Sequence, residues 1–129
     1  MVSTKSNAEK LLIKPGNSLM LVNPPPDVDD LILPLPKGVM VRSFGQGNSS
    51  VVLFFANNER ELRDKLPGLR SLIAPQGIIW VVYHKGTSKV KTDINRDSIW
   101  RYAKSLGLDG VAMVSLNNDW SAMRLKTLA

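Results

Sequence analysis

The sequence predicts an α/β domain, a mostly parallel sheet of about six strands with helices on both faces, and three observations carry that reading. Ile78 to Tyr83 is an unbroken apolar run, rich in β-branched and aromatic residues, punctuated by Pro75 and Gly77 before it and Gly86 after it. A run without polar alternation belongs to a strand buried on both faces, hence at the centre of a helix-covered sheet. Val51 to Phe55 is a second such run, and a helical pattern lies between the two. Finally, two strand-like stretches close the chain, Val111 to Leu116 and Trp120 to Lys126, with only Asn117-Asn118-Asp119 between them, which is hairpin chemistry.

Taken in order, Ser6-Asn7-Ala8-Glu9 has the spacing of a capping box, so a short helix is expected to run to about Ile13 and stop before Pro15-Gly16. Ser18 to Val22 is the first strand, ended by Asn23-Pro24-Pro25-Pro26 because prolines donate no ladder hydrogen bonds. Asp27, Asp29 and Asp30 suit a helix N-terminus, and Leu31, Ile32, Leu33 and Leu35 give that helix its apolar side until Pro34 and Pro36 end it. Val39 to Ser43 is the second strand. The following link, Phe44 to Ser50, is Gly-rich and admits two readings. Turn chemistry suggests a hairpin. A parallel return is within reach, since seven extended residues span about 23 Å and about 20 Å is needed.

After Phe55, Asn57 or Asn58 can cap a helix with Glu59 and Glu61 in its first turn. Leu62, Leu66, Leu69 and Ile73 keep helical spacing, with a break or kink expected at Pro67-Gly68. Gly86 to Asp93 reads as a polar, basic loop. Asn95 then caps a helix whose Ile99, Ala103 and Leu106 share a face, stopped at Gly107. Trp80 and Trp120 are expected in the core, while Trp100 lies one position off the helix face and flanks it or meets a partner.

Composition narrows the function classes. A chain of 129 residues with 43% hydrophobic and 22% charged residues makes one domain with a real core. The absence of Cys and the single His leave no thiolate site, no cysteine nucleophile and a poor basis for zinc. There is no apolar signal core, and no stretch reaches the ~20 apolar residues needed to span a bilayer, so the cytoplasm is the expected compartment. The net charge of +6 permits an anionic partner, but the basic residues are scattered and only Lys85, Lys89 and Lys91 are concentrated, which argues against nucleic acid. Oligomerisation is left open.

A parallel sheet closing with an antiparallel hairpin resembles the class I S-adenosylmethionine-dependent methyltransferases, a three-layer Rossmann-like fold. Leu12-Ile13-Lys14-Pro15-Gly16 is similar to that family's lead-in, Val51 to Phe55 to its fourth strand, and Leu72 to Ile79 to the approach to its fifth. More specifically, the chain resembles a bacterial family of short methyltransferase-like proteins of unknown function. That likeness is carried by Ile13-Lys14-Pro15-Gly16, Leu35-Pro36-Lys37-Gly38-Val39, Thr92-Asp93 and Asp119-Trp120-Ser121. The resemblance implies a parallel second strand and the strand order 2-1-3-4-6-5 with only strand 6 antiparallel.

It also exposes departures. Where the methyltransferases have a glycine-rich loop after the first strand, this chain has Asn23-Pro24-Pro25-Pro26. Where an acidic residue holds the ribose, it has Arg42-Ser43, and no Asn-Pro-Pro-Tyr-like motif follows Phe55. No cofactor is therefore expected, S-adenosylmethionine included.

In an open parallel sheet, ligands collect outside the carboxyl ends of the strands. That edge presents Asn23, Arg42, Asn57, Asn58, His84 and Lys85. Read functionally, this is an anion pocket, with Lys85 and Lys89 neutralising the charge and the helix N-terminus after Asn58 facing it. Read plainly, the asparagines are a cap and a turn, and His84-Lys85 ends a strand. No catalytic constellation and no metal-binding residues are assigned; His84 lacks a visible partner, and the serines form no nucleophile elbow. The expected function is a non-catalytic module binding a partner protein or a small anionic ligand; the alternative is a methyltransferase or other cofactor-binding enzyme with a remodelled crevice. A proline loop closed over the crevice would favour the module, and an open pocket lined by Asn23, Asn57 and His84 the alternative.

Overall fold

The computed structural model describes residues 6–43, 49–69, 73–89 and 91–127. In chain order these form α1 (Asn7–Lys10), β1 (Ser18–Val22), α2 (Val28–Ile32), β2 (Met40–Ser43), β3 (Ser49–Phe55), α3 (Glu59–Leu69), β4 (Ile73–His84), α4 (Arg96–Ser105), β5 (Leu108–Ser115) and β6 (Trp120–Thr127). The strands make one sheet in the order β2-β1-β3-β4-β6-β5. β1 pairs in parallel with both β2 and β3, and β3 in parallel with β4; β6 runs antiparallel to β4 and β5. Because β2 and β3 flank β1 on opposite sides, the hairpin reading of residues 44–50 is replaced by the parallel one. The link itself, Phe44 to Asn48, lies outside the described residues, as does Leu72.

Strand alternation sorts the core into two layers. Val52 and Phe54 of β3 and Val81 of β4 join Leu62 and Leu66 of α3 and Ile99 and Ala103 of α4. Val51, Leu53 and Phe55, with Trp80 and Val82, join Leu11, Leu31 and Ile32 on the opposite face. Both faces are dry from Val51 to Phe55 of β3 and from Ile79 to Tyr83 of β4, which is why those stretches run apolar without alternation. Full burial of each such side chain contributes about 1.5–3 kcal/mol. Trp80 is 1% exposed, and its Nε1 donates to the carbonyl of Leu11 at 2.9 Å, so the indole ties α1 to the sheet without leaving a polar atom orphaned.

The capping boxes at Ser6 and Asn95 form as the sequence indicates. Several boundaries differ from expectation, among them β5, which runs Leu108–Ser115 and not from Val111 to Leu116. α1 ends at Lys10 rather than Ile13, because the chain turns at Leu12 (φ 61°) to bring both Leu11 and Ile13 into the core. α2 ends at Ile32, leaving Leu33 exposed instead of on an apolar helix face. α3 continues through Pro67 to Leu69 without splitting. The Arg63 carbonyl, which an N–H at position 67 would have served, instead accepts from the Tyr102 hydroxyl of α4 at 3.4 Å. Ile73 begins β4 and does not extend that helix face; the register slips between Ser49–Ile73 and Val51–Ile78, so Pro75 and Gly77 sit where the ladder is already irregular. Among the described residues, no helix is long and apolar enough to cross a membrane.

Candidate functional site

At the carboxyl ends of β1, β3 and β4 the structure opens a cleft of about 420 Å³ lined by Asn23, Pro24, Pro25, Pro26, Asp27, Asn57, His84, Asp119 and Trp120. Asn23 leaves β1 in the left-handed region (φ 57°), a conformation that asparagine tolerates better than other non-glycine residues. The turn aims its amide back at the sheet: Nδ2 donates to the Phe55 carbonyl at 2.8 Å and to Glu61 Oε1 at 2.9 Å. The three prolines that follow form one wall of the cleft and leave it open.

Glu61 organises the floor. Besides Asn23, its Oε1 accepts from the Asn57 backbone N–H at 2.9 Å and from Asn57 Nδ2 at 3.0 Å. An ionised carboxylate only accepts, so Asn57 must turn its Nδ2 toward Glu61 and its Oδ1 the other way. That Oδ1 lies 3.3 Å from His84 Nε2, which therefore carries the ring proton. His84 is 7% exposed, stacks on Trp120 at 3.9 Å with a 29° interplanar angle, and has a buried Nδ1 with no hydrogen-bond partner. Trp120 in turn meets Phe55 edge-on at 5.6 Å. Burial lowers the pKa of His84 below its usual value, against a smaller upward pull from the Asp119 carboxylate, so the ring is neutral at neutral pH.

Of the residues expected at this edge, Asn23, Asn57 and His84 come together. Asn58 is the cap of α3, its Oδ1 accepting from the Glu61 N–H at 2.9 Å. Lys85 turns away: its Nζ donates to Ser115 Oγ at 2.6 Å, and it lines a separate hollow with Tyr83, Arg96 and Met113. Arg42, on the edge strand β2, is not among the cleft's lining residues. The anion grouping of Asn57, Asn58, His84 and Lys85 is therefore not assembled. The start of α3 is also occupied by the chain's own acids, with Asp93 Oδ1 accepting from the Glu59 N–H at 2.7 Å.

Sequence reasoning missed Glu61, Asp27 and Asp119. Glu61 reads as an ordinary first-turn acid, and Asp119 as a hairpin residue; nothing in the local sequence says that one braces and the other borders the same cleft. Asp119 accepts from Ser88 Oγ at 3.1 Å, while Asp27, at the N-cap of α2, makes no side-chain capping bond.

The fold is shared with solved methyltransferases. A ribosomal protein L11 methylase from Lactobacillus delbrueckii subsp. bulgaricus superposes with a TM-score of 0.61 at 9% identity, over 95% of this chain and 75% of that one. The CcbJ methyltransferase from Streptomyces caelestis gives 0.60 at 12% identity, over 95% and 89%. A TehB-like SAM-dependent methyltransferase from Corynebacterium glutamicum gives 0.57 at 9%, over 95% and 88%. At such identities the likeness concerns the fold alone. No curated protein matches the sequence significantly. The model of a protein family of unknown function, DUF3052, matches residues 40–128, and the chain belongs to that family.

Proposed function

We propose that this protein binds a small ligand in the Asn23–His84 cleft and does not use S-adenosylmethionine as a cofactor. The observation that carries the reading is the segment after β1. Where a glycine-rich loop would bring backbone N–H groups against a cofactor, Pro24, Pro25 and Pro26 have none to offer and add bulk. The amide of Asn23 is already held by Phe55 and Glu61. β2 ends in Arg42-Ser43, without a carboxylate for a ribose.

The cleft is open and lined by Asn23, Asn57 and His84, which favours a remodelled ligand-binding crevice over a module closed for a protein partner, and its size suits a small ligand. His84 has an acid near it, Asp119, but among the described residues lining the cleft there is no hydroxyl or amine nucleophile for it to activate, which supports binding without turnover. Calorimetric titration with S-adenosylmethionine and S-adenosylhomocysteine tests the reading. The expected result is no saturable heat, and a dissociation constant in the low micromolar range would refute it.

A further inference from the structure

Lys85, turned away from the cleft, enters a second hollow of about 420 Å³ whose walls include Tyr83, Asn95, Arg96, Asp97 and Met113. The hollow lies where β4 ends and α4 begins, and its donors are largely unspent. The Lys85 ammonium gives one of its three N–H bonds to Ser115 Oγ. Arg96 meets Asp97 through Nε at 3.6 Å, and with both side chains more than two-thirds exposed that pair contributes little. Tyr83 is 5% exposed, yet the partner of its hydroxyl is the Met113 thioether at 3.8 Å, a weak acceptor. Burial raises the pKa of this phenol; the Arg96 charge opposes that and the Asp97 charge adds to it, so both are felt at the hydroxyl. At the start of α4, Asn95 serves the Ser98 and Ile99 N–H groups, while those of Arg96 and Asp97 bond to nothing among the described residues. Asp97 is the one acid among the described residues that line the hollow.

We propose that this hollow is a site for a phosphoryl group, held between the Lys85 ammonium, the Arg96 guanidinium and the Tyr83 hydroxyl. A phosphoryl group carries up to about two negative charges and three acceptor oxygens, so it can use charged and neutral donors together. The arginine fork matches two of those oxygens, and the lysine acts on them as a point charge. The free N–H groups at the start of α4 add partial positive charge at the same place. Tyr83 distinguishes the hollow from an ordinary basic surface, because a buried phenol that meets only a sulfur gains from any stronger acceptor. The hollow shares no lining residue with the Asn23–His84 cleft, so neither reading depends on the other.

The test is a calorimetric titration of the full chain with inorganic phosphate and with ribose 5-phosphate at constant ionic strength, acetate being the carboxylate control. Backbone ¹H–¹⁵N spectra report the place. At least one phosphate should bind one-to-one and shift the amides of Arg96 and Asp97. Lys85→Gln combined with Arg96→Gln should weaken binding about tenfold or more. Tyr83→Phe, which keeps the ring and removes only the hydroxyl, should weaken it about fivefold. Asp97→Asn removes the opposing charge and should tighten it about twofold to fivefold. Lys104→Gln removes a charge in the last turn of α4 and should leave it unchanged. Equal binding of the two ligands identifies the free ion and tighter binding of the sugar phosphate identifies a monoester; either supports the site. Silence from both phosphates, acetate binding as tight as phosphate, equal losses in Lys104→Gln and the double variant, or weaker binding by Asp97→Asn overturns the inference. Shifts at Asn23 and Asn57 in place of Arg96 and Asp97 overturn it as well.

Discussion

The cleft at the carboxyl edge and the groove between α4 and β5 are of similar size, about 420 and about 390 Å³, and opposite in construction. On the floor of the cleft the side chains hold one another. Glu61 fixes Asn57, Asn57 fixes the His84 tautomer, and Trp120 fixes the plane of the His84 ring. The groove is walled by Trp100, Val111 and Met113, all more than 40% exposed, and its directed contacts are separate from one another: Trp100 Nε1 to Asp109 at 2.8 Å, the Tyr83 hydroxyl to Met113 Sδ at 3.8 Å and an exposed Arg96–Asp97 pair at 3.6 Å. A pocket's volume says little about whether it selects a ligand; the hydrogen bonds that pre-set its polar atoms say more. The cleft's bonds interlock and the groove's stand apart at an exposed surface, so substitutions of equal size should have unequal consequences.

The widest separation is expected between two tryptophans. Trp120→Ala removes a 6%-exposed indole packed on both His84 and Phe55 and should cost about 3–5 kcal/mol in denaturant unfolding. Trp100→Ala removes a half-exposed ring and one hydrogen bond and should cost about 1 kcal/mol. Equal losses would mean that the groove is as much a part of the core as the cleft floor.

Next in size is Glu61→Ala. It strips the acceptor shared by Asn23 and by both the backbone and side chain of Asn57, and should cost about 1–3 kcal/mol. It should also free the Asn57 amide to turn, so that His84 samples both tautomers. A melting temperature like wild type, with Nε2 still carrying the proton, would show that Asn57 is positioned by something other than Glu61.

A smaller effect comes from pH. His84 titrates below its unfolded value of 6.5 because burial penalises the charged ring. As pH drops below about 6.5, the unfolded chain takes up a proton that the native chain declines, so the native state loses stability through the folded pKa; above 6.5 this contribution is flat. Asp119→Asn removes the upward pull and should move the His84 midpoint lower still by NMR titration. An upward move would reverse the assigned sign. Last, Val111→Lys on the exposed edge strand β5 should change stability by no more than about 0.5 kcal/mol, measured by thermal unfolding.

Much of the sheet was legible in the sequence, because strands buried on both faces announce themselves and the terminal hairpin has its own turn chemistry. Pro67 misled because a local reading supplies the missing N–H but not the Tyr102 hydroxyl arriving from α4. Ile73 misled because an apolar residue suits a helix face and a strand start equally. Half of the site was readable from strand ends alone, namely Asn23, Asn57 and His84. The misplacement of Lys85 was avoidable: neighbours on an extended chain point to opposite faces, and Tyr83, like Lys85 odd in number, packs on the α4 side while Trp80 and Val82 pack with Trp120. Glu61 was not readable, since its role depends on where β1 delivers Asn23.

The central claim is that a methyltransferase-like sheet carries here a cleft that has left the cofactor behind. Backbone ¹H–¹⁵N spectra recorded with increasing S-adenosylmethionine test it most directly, because they report both affinity and place. The account predicts that resonances of Asn23, Asp27, Asn57 and His84 stay put through concentrations of about 100 µM, well above a working cofactor affinity. Shifts at those residues that saturate at low micromolar cofactor would contradict it.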